Sequence, residues 1–189
     1  LRAPITGPFT LASRVYLEDP TRGLSATALA KPEIVQNFFV PYVARFVKYL
    51  SQLGYTVIFV DEPVLGIITG KRRILFGYRE EDIIEILDRA LSFATGSERG
   101  IHVCGAISPK LFEILCNVPS IKYLNFEFHD TPQNLNTVSG ELLEKHDKIL
   151  APGIASSKKP IVESADEVKN LLVKIRQTAG DRIDLISAD

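Results

Sequence analysis

The sequence predicts an α/β protein with a parallel sheet, specifically a (β/α)8 barrel of which this chain holds a part. Short β-rich runs alternate with amphipathic helical patterns along the whole chain. The alternation repeats about every 30 residues, which is the length of one βα unit. Polar side chains follow most of the predicted strands, at the end where parallel barrels carry their chemistry. Together these observations favour helices packed around a parallel sheet.

The predicted strands are short and rich in β-branched and aromatic residues. They cover residues 4–10 (the end of a strand), 56–60, 100–104, 121–128, 148–154 and 182–187. Helical periodicity covers residues 35–53, 80–93, 108–118 and 165–178, and more weakly 139–146. The first helix is predicted to bury one apolar stripe, made of Val35, Phe38, Phe39, Tyr42, Val43, Phe46, Leu50 and Leu53.

The helix ends carry their own signals. Gly54 is a natural residue after the end of the first helix. Ser164 and Glu167 form a capping box for the last one, because the hydroxyl and the carboxylate each satisfy a free amide.

The number of strands bears on the architecture. Six strands in 189 residues fall short of a barrel of eight units, which takes about 250 residues. We therefore expect residues 1–189 to form one partial barrel domain that lacks the first strands and the last helix. The alternative is a six-stranded doubly wound sheet, which would concentrate its chemistry at one switch point.

Composition excludes several classes of partner. The chain has 22 basic and 23 acidic side chains and a formal charge of -1, which argues against a nucleic-acid partner. Its longest apolar runs are a few residues, far short of the roughly 20 that cross a bilayer, and no signal peptide is recognisable. We therefore expect no membrane partner and a cytoplasmic location. Two cysteines are too few for a disulfide framework.

The motif His102-Val103-Cys104 is the sharpest candidate for a chemical site. Residues i and i+2 of a strand face the same side, so the imidazole and the sulfur can converge on one zinc ion. Glu127 ends the next predicted strand and could be a third ligand. Spacing alone leaves open whether this is a metal site, an incidental His-x-Cys pair or a solvated glutamate.

Two further candidates follow predicted strands. Asp61 and Glu62 come directly after residues 56–60. Since adjacent side chains point to different sides, at most one carboxylate enters the barrel mouth, where it could receive an ammonium group or a proton. The alternative is a solvated loop. Thr6 and Gly7 stand at another strand end, where a glycine allows a ligand to approach the backbone or the chain to turn sharply.

Six motifs in this order resemble one family. They are ITGPFT (5–10), VIFVDEP (57–63), HVC (102–104), LNFE (124–127), APGI (151–154) with IVES (161–164), and DLISAD (184–189). They resemble the C-terminal, catalytic domain of cobalamin-independent methionine synthase, and the resemblance spans nearly the whole chain. More distantly, the chain resembles the uroporphyrinogen decarboxylase-like barrels, which include corrinoid-dependent thiol methyltransferases.

The resemblance implies a methyltransferase that converts homocysteine to methionine at a zinc ion. It implies that His102, Cys104 and Glu127 are zinc ligands and that a further cysteine ligand follows Asp189. It also implies that Asp61 binds the amino group of homocysteine. We place Thr6, Gly7 and Glu62 with it among the substrate-binding residues.

The methyl donor is left open by one departure from the family pattern. The family usually offers an Asp and a His in the loop after the seventh strand, whereas residues 154–159 here read Ile-Ala-Ser-Ser-Lys-Lys. Methyl-folate and methylcorrinoid donors both remain candidates, the latter either free or on a corrinoid carrier protein. A methyltransferase of the coenzyme M type and a non-catalytic barrel of the same fold also remain open.

Overall fold

A computed structural model describes residues 2–70, 73–158, 160 and 162–189 of the chain. Five strands form one parallel sheet, and each strand pairs with the next one along the chain. They are β1 (Arg2–Thr6), β2 (Val57–Asp61), β3 (Glu98–Val103), β4 (Tyr123–Glu127) and β5 (Ile149–Gly153). Spatial order therefore follows chain order, as in a barrel and unlike a doubly wound sheet, whose order reverses.

Helices connect the strands. The α-helices are α1 (Pro8–Ala12), α2 (Pro32–Ile34), α3 (Val40–Gln52), α4 (Leu65–Ile68), α5 (Glu80–Leu91), α6 (Pro109–Cys116), α7 (Gly140–Lys145) and α8 (Ala165–Ala179). A π-helix (Val35–Phe39) joins α2 to α3, and 3-10 turns cover Pro20–Ala26, Ala28–Ala30 and Pro132–Asn136. The predicted capping box of Ser164 and Glu167 is present at the start of α8.

The last predicted strand, over residues 182–187, is wrong as a continuous strand. Only two isolated parallel bridges form there, between Ile183 and Leu150 and between Ser187 and Gly153. The cause is local, because Leu185 between them has φ 54° and so leaves the extended conformation. The strand end predicted over residues 4–10 also stops earlier, at Thr6, since Pro8 starts α1.

The apolar stripe predicted for the first helix is also partly wrong. Val35, Phe39 and Val43 are buried as predicted, but Phe38, Tyr42, Phe46 and Leu53 are between 44% and 61% exposed. The π-helix adds residues to one turn and thereby rotates everything that follows relative to an ideal α-helix. As a result α3 buries Val40, Ala44 and Val47 together with the predicted Val43.

The two faces of the sheet bury different sets of residues. The outer face packs against the helices in the main core, which includes Ile58, Val60 and Ile101. The inner face carries a smaller cluster of Phe59, Tyr123 and Ala151, with Val57 and Ile149 against it. Residues two positions apart on a strand point to the same face, so the residues two positions beyond Phe59 and Tyr123 also lie on the inner face. None of the helices in the described ranges is long and apolar enough to cross a membrane.

Candidate functional site

A polar layer lies on the inner face of the sheet, one step beyond the Phe59 layer toward the carboxyl ends of the strands. The register aligns Thr6 with Asp61, Asp61 with His102, His102 with Asn125, and Asn125 with Ala151. All five strands therefore each contribute one residue to a single row, and four of these residues are polar. This is where chemistry is expected in a parallel barrel.

The predicted pair of His102 and Cys104 is brought together at the end of β3. The His102 Nε2 atom lies 2.9 Å from the Cys104 Sγ atom, and the other ring nitrogen, Nδ1, lies 2.8 Å from Asn125 Oδ1. Gly105 has φ 74°, which turns the chain away directly after the cysteine. Cys104 as a residue is exposed at the carboxyl edge of the sheet, although its sulfur is partly shielded from solvent.

The charges around Cys104 disfavour a bare thiolate. Burial raises the pKa of Cys104, and the neighbouring carboxylates of Glu127 and Asp61 raise it further. A bound cation would offset both the burial and the negative neighbours. Without such a cation the raised pKa favours the neutral thiol over the thiolate.

Glu127 lies near the pair but is engaged elsewhere. Its carboxylate is buried, and its Oε2 atom accepts hydrogen bonds from Thr131 Oγ1 at 3.0 Å and Lys158 Nζ at 2.8 Å. Burial alone would raise the pKa of Glu127, but the bonds from Lys158 and Thr131, with one from the Gly105 backbone, lower it overall. The predicted third ligand is thus ionised and paired with a lysine.

A different group of potential metal ligands lies close together. Among the described residues, ligand atoms of His129, Asp130 and Asp189 lie within 4.8 Å of one another. The Asp189 carboxylate, however, accepts backbone N–H bonds from Phe128 and His129 at 3.0 and 3.3 Å, and a third from Asp130. The predicted set of His102, Cys104 and Glu127 therefore stays a prediction, with its first two members in contact.

Asp61, a member of this row, has one carboxylate oxygen without a hydrogen-bond partner among the described residues. Its Oδ1 atom is buried and has no hydrogen-bond partner among the residues that the structure describes. Burial raises the pKa of Asp61, while His102 and Arg2 act in the opposite direction. A buried oxygen without a donor is costly, so this position suits a ligand that brings an N–H group.

Glu62 points away from Asp61, as the alternation of the strand predicts. It is fully buried; its Oε1 atom accepts the Phe9 N–H at 2.9 Å and its Oε2 atom accepts the Thr10 N–H and hydroxyl at 2.8 and 2.7 Å. Every one of these bonds fixes the start of α1. The role assigned to Glu62 in substrate binding stays a prediction, and the contacts show a carboxylate that holds α1 beside Thr6 and Gly7.

The stability of the protein is expected to fall as pH rises, because of Glu62. Burial raises the pKa of Glu62 from 4.5 to about 7, so between these values the folded state binds more protons than the unfolded state. The contribution is complete below pH 4.5 and lost as pH passes about 7, by on the order of 3 kcal/mol. Urea unfolding of the wild type and of Glu62→Gln from pH 4.5 to 7.5 should show this slope only in the wild type. The exposed Glu141→Gln is the control, and an equal slope in Glu62→Gln would contradict the assignment.

Gly7 lies so close to Glu62 that a larger residue would collide with its carboxylate. A Cβ atom at this position would lie 2.2 Å from Glu62 Oε1. Gly7→Ala is therefore expected to destabilise the protein by about 1–3 kcal/mol, the usual cost of overpacking. Gly66→Ala in α4 is the matched control, since a Cβ there would meet only Ala106 O at 3.4 Å. Thermal unfolding of the two variants should separate them, and equal midpoints would refute the packing argument.

Sequence reasoning missed two buried asparagines in this region. Asn134 donates from Nδ2 to Gly105 O at 3.0 Å and Glu127 O at 2.8 Å, and its Oδ1 atom accepts the Ile107 N–H. It thereby joins the segment after Cys104 to the end of β4. No sequence pattern marks Asn134. Asn125, by contrast, precedes Glu127 by two residues, the same spacing that singled out His102 and Cys104.

Comparison with known proteins gives a consistent answer. No family model matches the chain. A methionine synthase of Methanothermobacter marburgensis is 30% identical over 134 residues, which is 71% of this chain and 39% of that protein. A B12-independent methionine synthase from Shewanella sp. W3-18-1, solved in complex with selenomethionine, superposes with a TM-score of 0.70 at 18% identity. A methyltransferase from Methanosarcina mazei superposes with a TM-score of 0.67 at 13% identity.

The match covers only part of these proteins. This chain is covered at 98% by the Shewanella structure and at 99% by the Methanosarcina structure, but it spans 54% and 52% of those chains. It spans less than half of the curated relative. The described residues form five strands of the sheet and not a closed barrel. The resemblance predicted from the strand-end motifs is nevertheless confirmed, because the chain is similar in sequence to a methionine synthase and in fold to B12-independent methionine synthases.

Proposed function

We propose that this chain is part of a zinc-dependent methyltransferase that moves a methyl group to the thiol of L-homocysteine and so forms methionine. The observation that carries the proposal is the contact of 2.9 Å between His102 Nε2 and Cys104 Sγ, in one row with the unsatisfied Asp61 oxygen. The pair that would bind the metal and the oxygen that would accept the ammonium group thus lie on neighbouring strands. Homocysteine carries both a thiol and an ammonium group.

The donor set fits zinc. Histidine nitrogen, cysteine sulfur and glutamate oxygen are the ligands that zinc takes in proteins. His102, Cys104 and Glu127 would hold the ion, with the further cysteine that the resemblance implies after Asp189. The Asp189 carboxylate bonds to the segment directly after Glu127, so the two segments lie side by side. Bound there, zinc would lower the pKa of the substrate thiol so that it reacts as a thiolate at neutral pH.

The protein's own residues would bind and orient the substrate. Asp61 would accept the substrate ammonium group at its free oxygen, and Thr6, its register partner on β1, lies beside it. Gly7 continues that backbone and donates its N–H to Asp61 O at 3.0 Å, which keeps the two strand ends close. Methyl transfer to a thiolate needs a donor held in line more than it needs a general base.

The loop after β5 bears on the methyl donor. A folate donor leaves as an amine anion that needs a proton, whereas a corrinoid donor needs none. Here Ser156 donates its hydroxyl to Asp130 Oδ2 at 2.7 Å, and Lys158 pairs with Glu127. Lys159 and Ile161, which belong to the predicted motifs of this loop, lie outside the described residues. The experiment therefore tests both donors, the corrinoid either free or on a carrier protein.

The test uses the full-length protein, purified without added metal. It is given homocysteine with methylcobalamin or with methyltetrahydrofolate in separate reactions, and methionine and bound zinc are measured. Methionine from one donor and one zinc per chain support the proposal and identify the donor. Methylation of coenzyme M instead would replace the acceptor, and no methylation of any thiol would favour a non-catalytic barrel. Homocysteine should also add a thiolate-to-metal absorption band to the cobalt-substituted protein, which a non-catalytic barrel would lack.

A further inference from the structure

Asn125 occupies the centre of the polar row. It lies on β4, in register with His102 on one side and Ala151 on the other, and its side chain is 2% exposed. A buried amide must find partners for both its oxygen and its two N–H groups. The oxygen and both N–H groups have partners, and these contacts determine which ring nitrogen of His102 carries the proton.

The orientation of the Asn125 amide is fixed by a carbonyl group. Its Nδ2 atom donates to Ala151 O and, at 3.1 Å, to Ser187 Oγ. A backbone carbonyl oxygen only accepts hydrogen bonds. Reversing the amide would place Oδ1 against Ala151 O, so that two acceptors would face each other and a buried bond would be lost. The oxygen of the amide must therefore face His102.

The amide oxygen in turn determines the tautomer of His102. Asn125 Oδ1 lies 2.8 Å from His102 Nδ1 and can only accept a hydrogen bond, so Nδ1 carries the proton. A neutral imidazole carries one proton, which leaves Nε2 with a free lone pair. That lone pair faces the Cys104 Sγ atom at 2.9 Å.

We infer that Asn125 is a positioning residue that holds His102 in the Nδ1–H tautomer and so presents a bare Nε2 beside Cys104 for metal binding. The inference rests on the proposed zinc function for its purpose, but the tautomer itself follows from contacts within the protein. Partners of this kind fix the ring orientation of metal-binding histidines and raise their basicity. Ser187, which shares the amide, belongs to the segment that also carries Asp189, so one side chain links β3, β5 and that segment.

The direct test reads the tautomer in the metal-free, full-length protein. Ring nitrogens are labelled with 15N and observed by NMR at a pH where the ring is neutral; His102 is assigned with His102→Ala. We expect a protonated Nδ1 and a bare Nε2 in the wild type. Asn125→Leu should lose this preference and gain the Nε2–H form. Asn125→Asp should retain the tautomer, because the carboxylate oxygen that faces the ring also accepts from Nδ1, but it should be less stable, because its second oxygen meets Ala151 O. An Nε2–H ring in the wild type, or the same tautomer in Asn125→Leu, overturns the inference.

Zinc affinity supplies the second readout, measured by competition with a chelator. Asn125→Leu should bind zinc about 10–100-fold more weakly than the wild type, and Asn125→Asp should lose less. Ser187→Ala removes one acceptor of the amide but leaves Ala151 O, so it should keep the tautomer and most of the affinity. Circular dichroism confirms that each variant is folded, and the tautomer of the wild type decides the inference if Asn125→Leu does not fold. Zinc bound equally well by all variants overturns the inference alone, whereas absence of zinc from the wild type overturns the proposed function.

Discussion

Replacing Cys104 by serine is expected to remove stoichiometric zinc and, with it, methyl transfer. The sulfur is the softest ligand of the proposed set and lies 2.9 Å from His102 Nε2, and a neutral serine hydroxyl is a poor zinc ligand in its place. The loss of zinc affinity should exceed the roughly 10–100-fold loss that follows when a residue hydrogen-bonded to a metal ligand is replaced. Zinc per chain, measured by elemental analysis after purification without added metal, is the primary measurement, and the rate of methionine formation is the second.

The other cysteine provides a matched control. Cys116 is buried on α6, and burial raises its pKa to about 12, so it is an inert thiol in the core. Cys116→Ala should lower stability but keep one zinc per chain. If Cys104→Ser also kept its zinc, the site would have to lie elsewhere, and the group of His129, Asp130 and Asp189 would be the next to test.

The order and direction of the strands were predictable because their signals are local. Alternating β-rich runs and helical stripes define each βα unit without knowledge of its neighbours. The errors came from backbone events that no apolar pattern reports. A π-helix at Val35–Phe39 rotates the following helix, and the positive φ of Leu185 interrupts the last predicted strand.

The candidate site was predictable to the extent that it follows the alternation of a strand. Spacing of two residues placed His102 and Cys104 on one side, and adjacency separated Asp61 from Glu62. The partners of these residues were not predictable, because they come from distant parts of the chain. Glu62 bonds to α1, more than 50 residues away, and Asn125 meets Ser187 62 residues later. Such groups meet only when segments far apart in the sequence pack together in the fold.

Asp61→Asn is expected to weaken the binding of homocysteine with a smaller effect on the methyl-transfer step. The Asp61 Oδ1 atom is buried and unsatisfied, so an ammonium group placed there would form a charge-assisted bond worth about 1.5–3 kcal/mol. That corresponds to a rise in KM of roughly 10–100-fold, since each 1.4 kcal/mol is tenfold. Initial rates at varied homocysteine give KM and kcat separately, and zinc content should be unchanged.

A substrate that lacks the amino group makes this test specific. 4-Mercaptobutyrate keeps the thiol and the carboxylate of homocysteine but has no ammonium group for Asp61 to bind. The wild type should therefore prefer homocysteine strongly, whereas Asp61→Asn should treat the two thiols nearly alike, because the charge that distinguishes them is gone. If Asp61→Asn kept the full preference, the ammonium group would bind elsewhere, and the unsatisfied oxygen of Asp61 would need another donor.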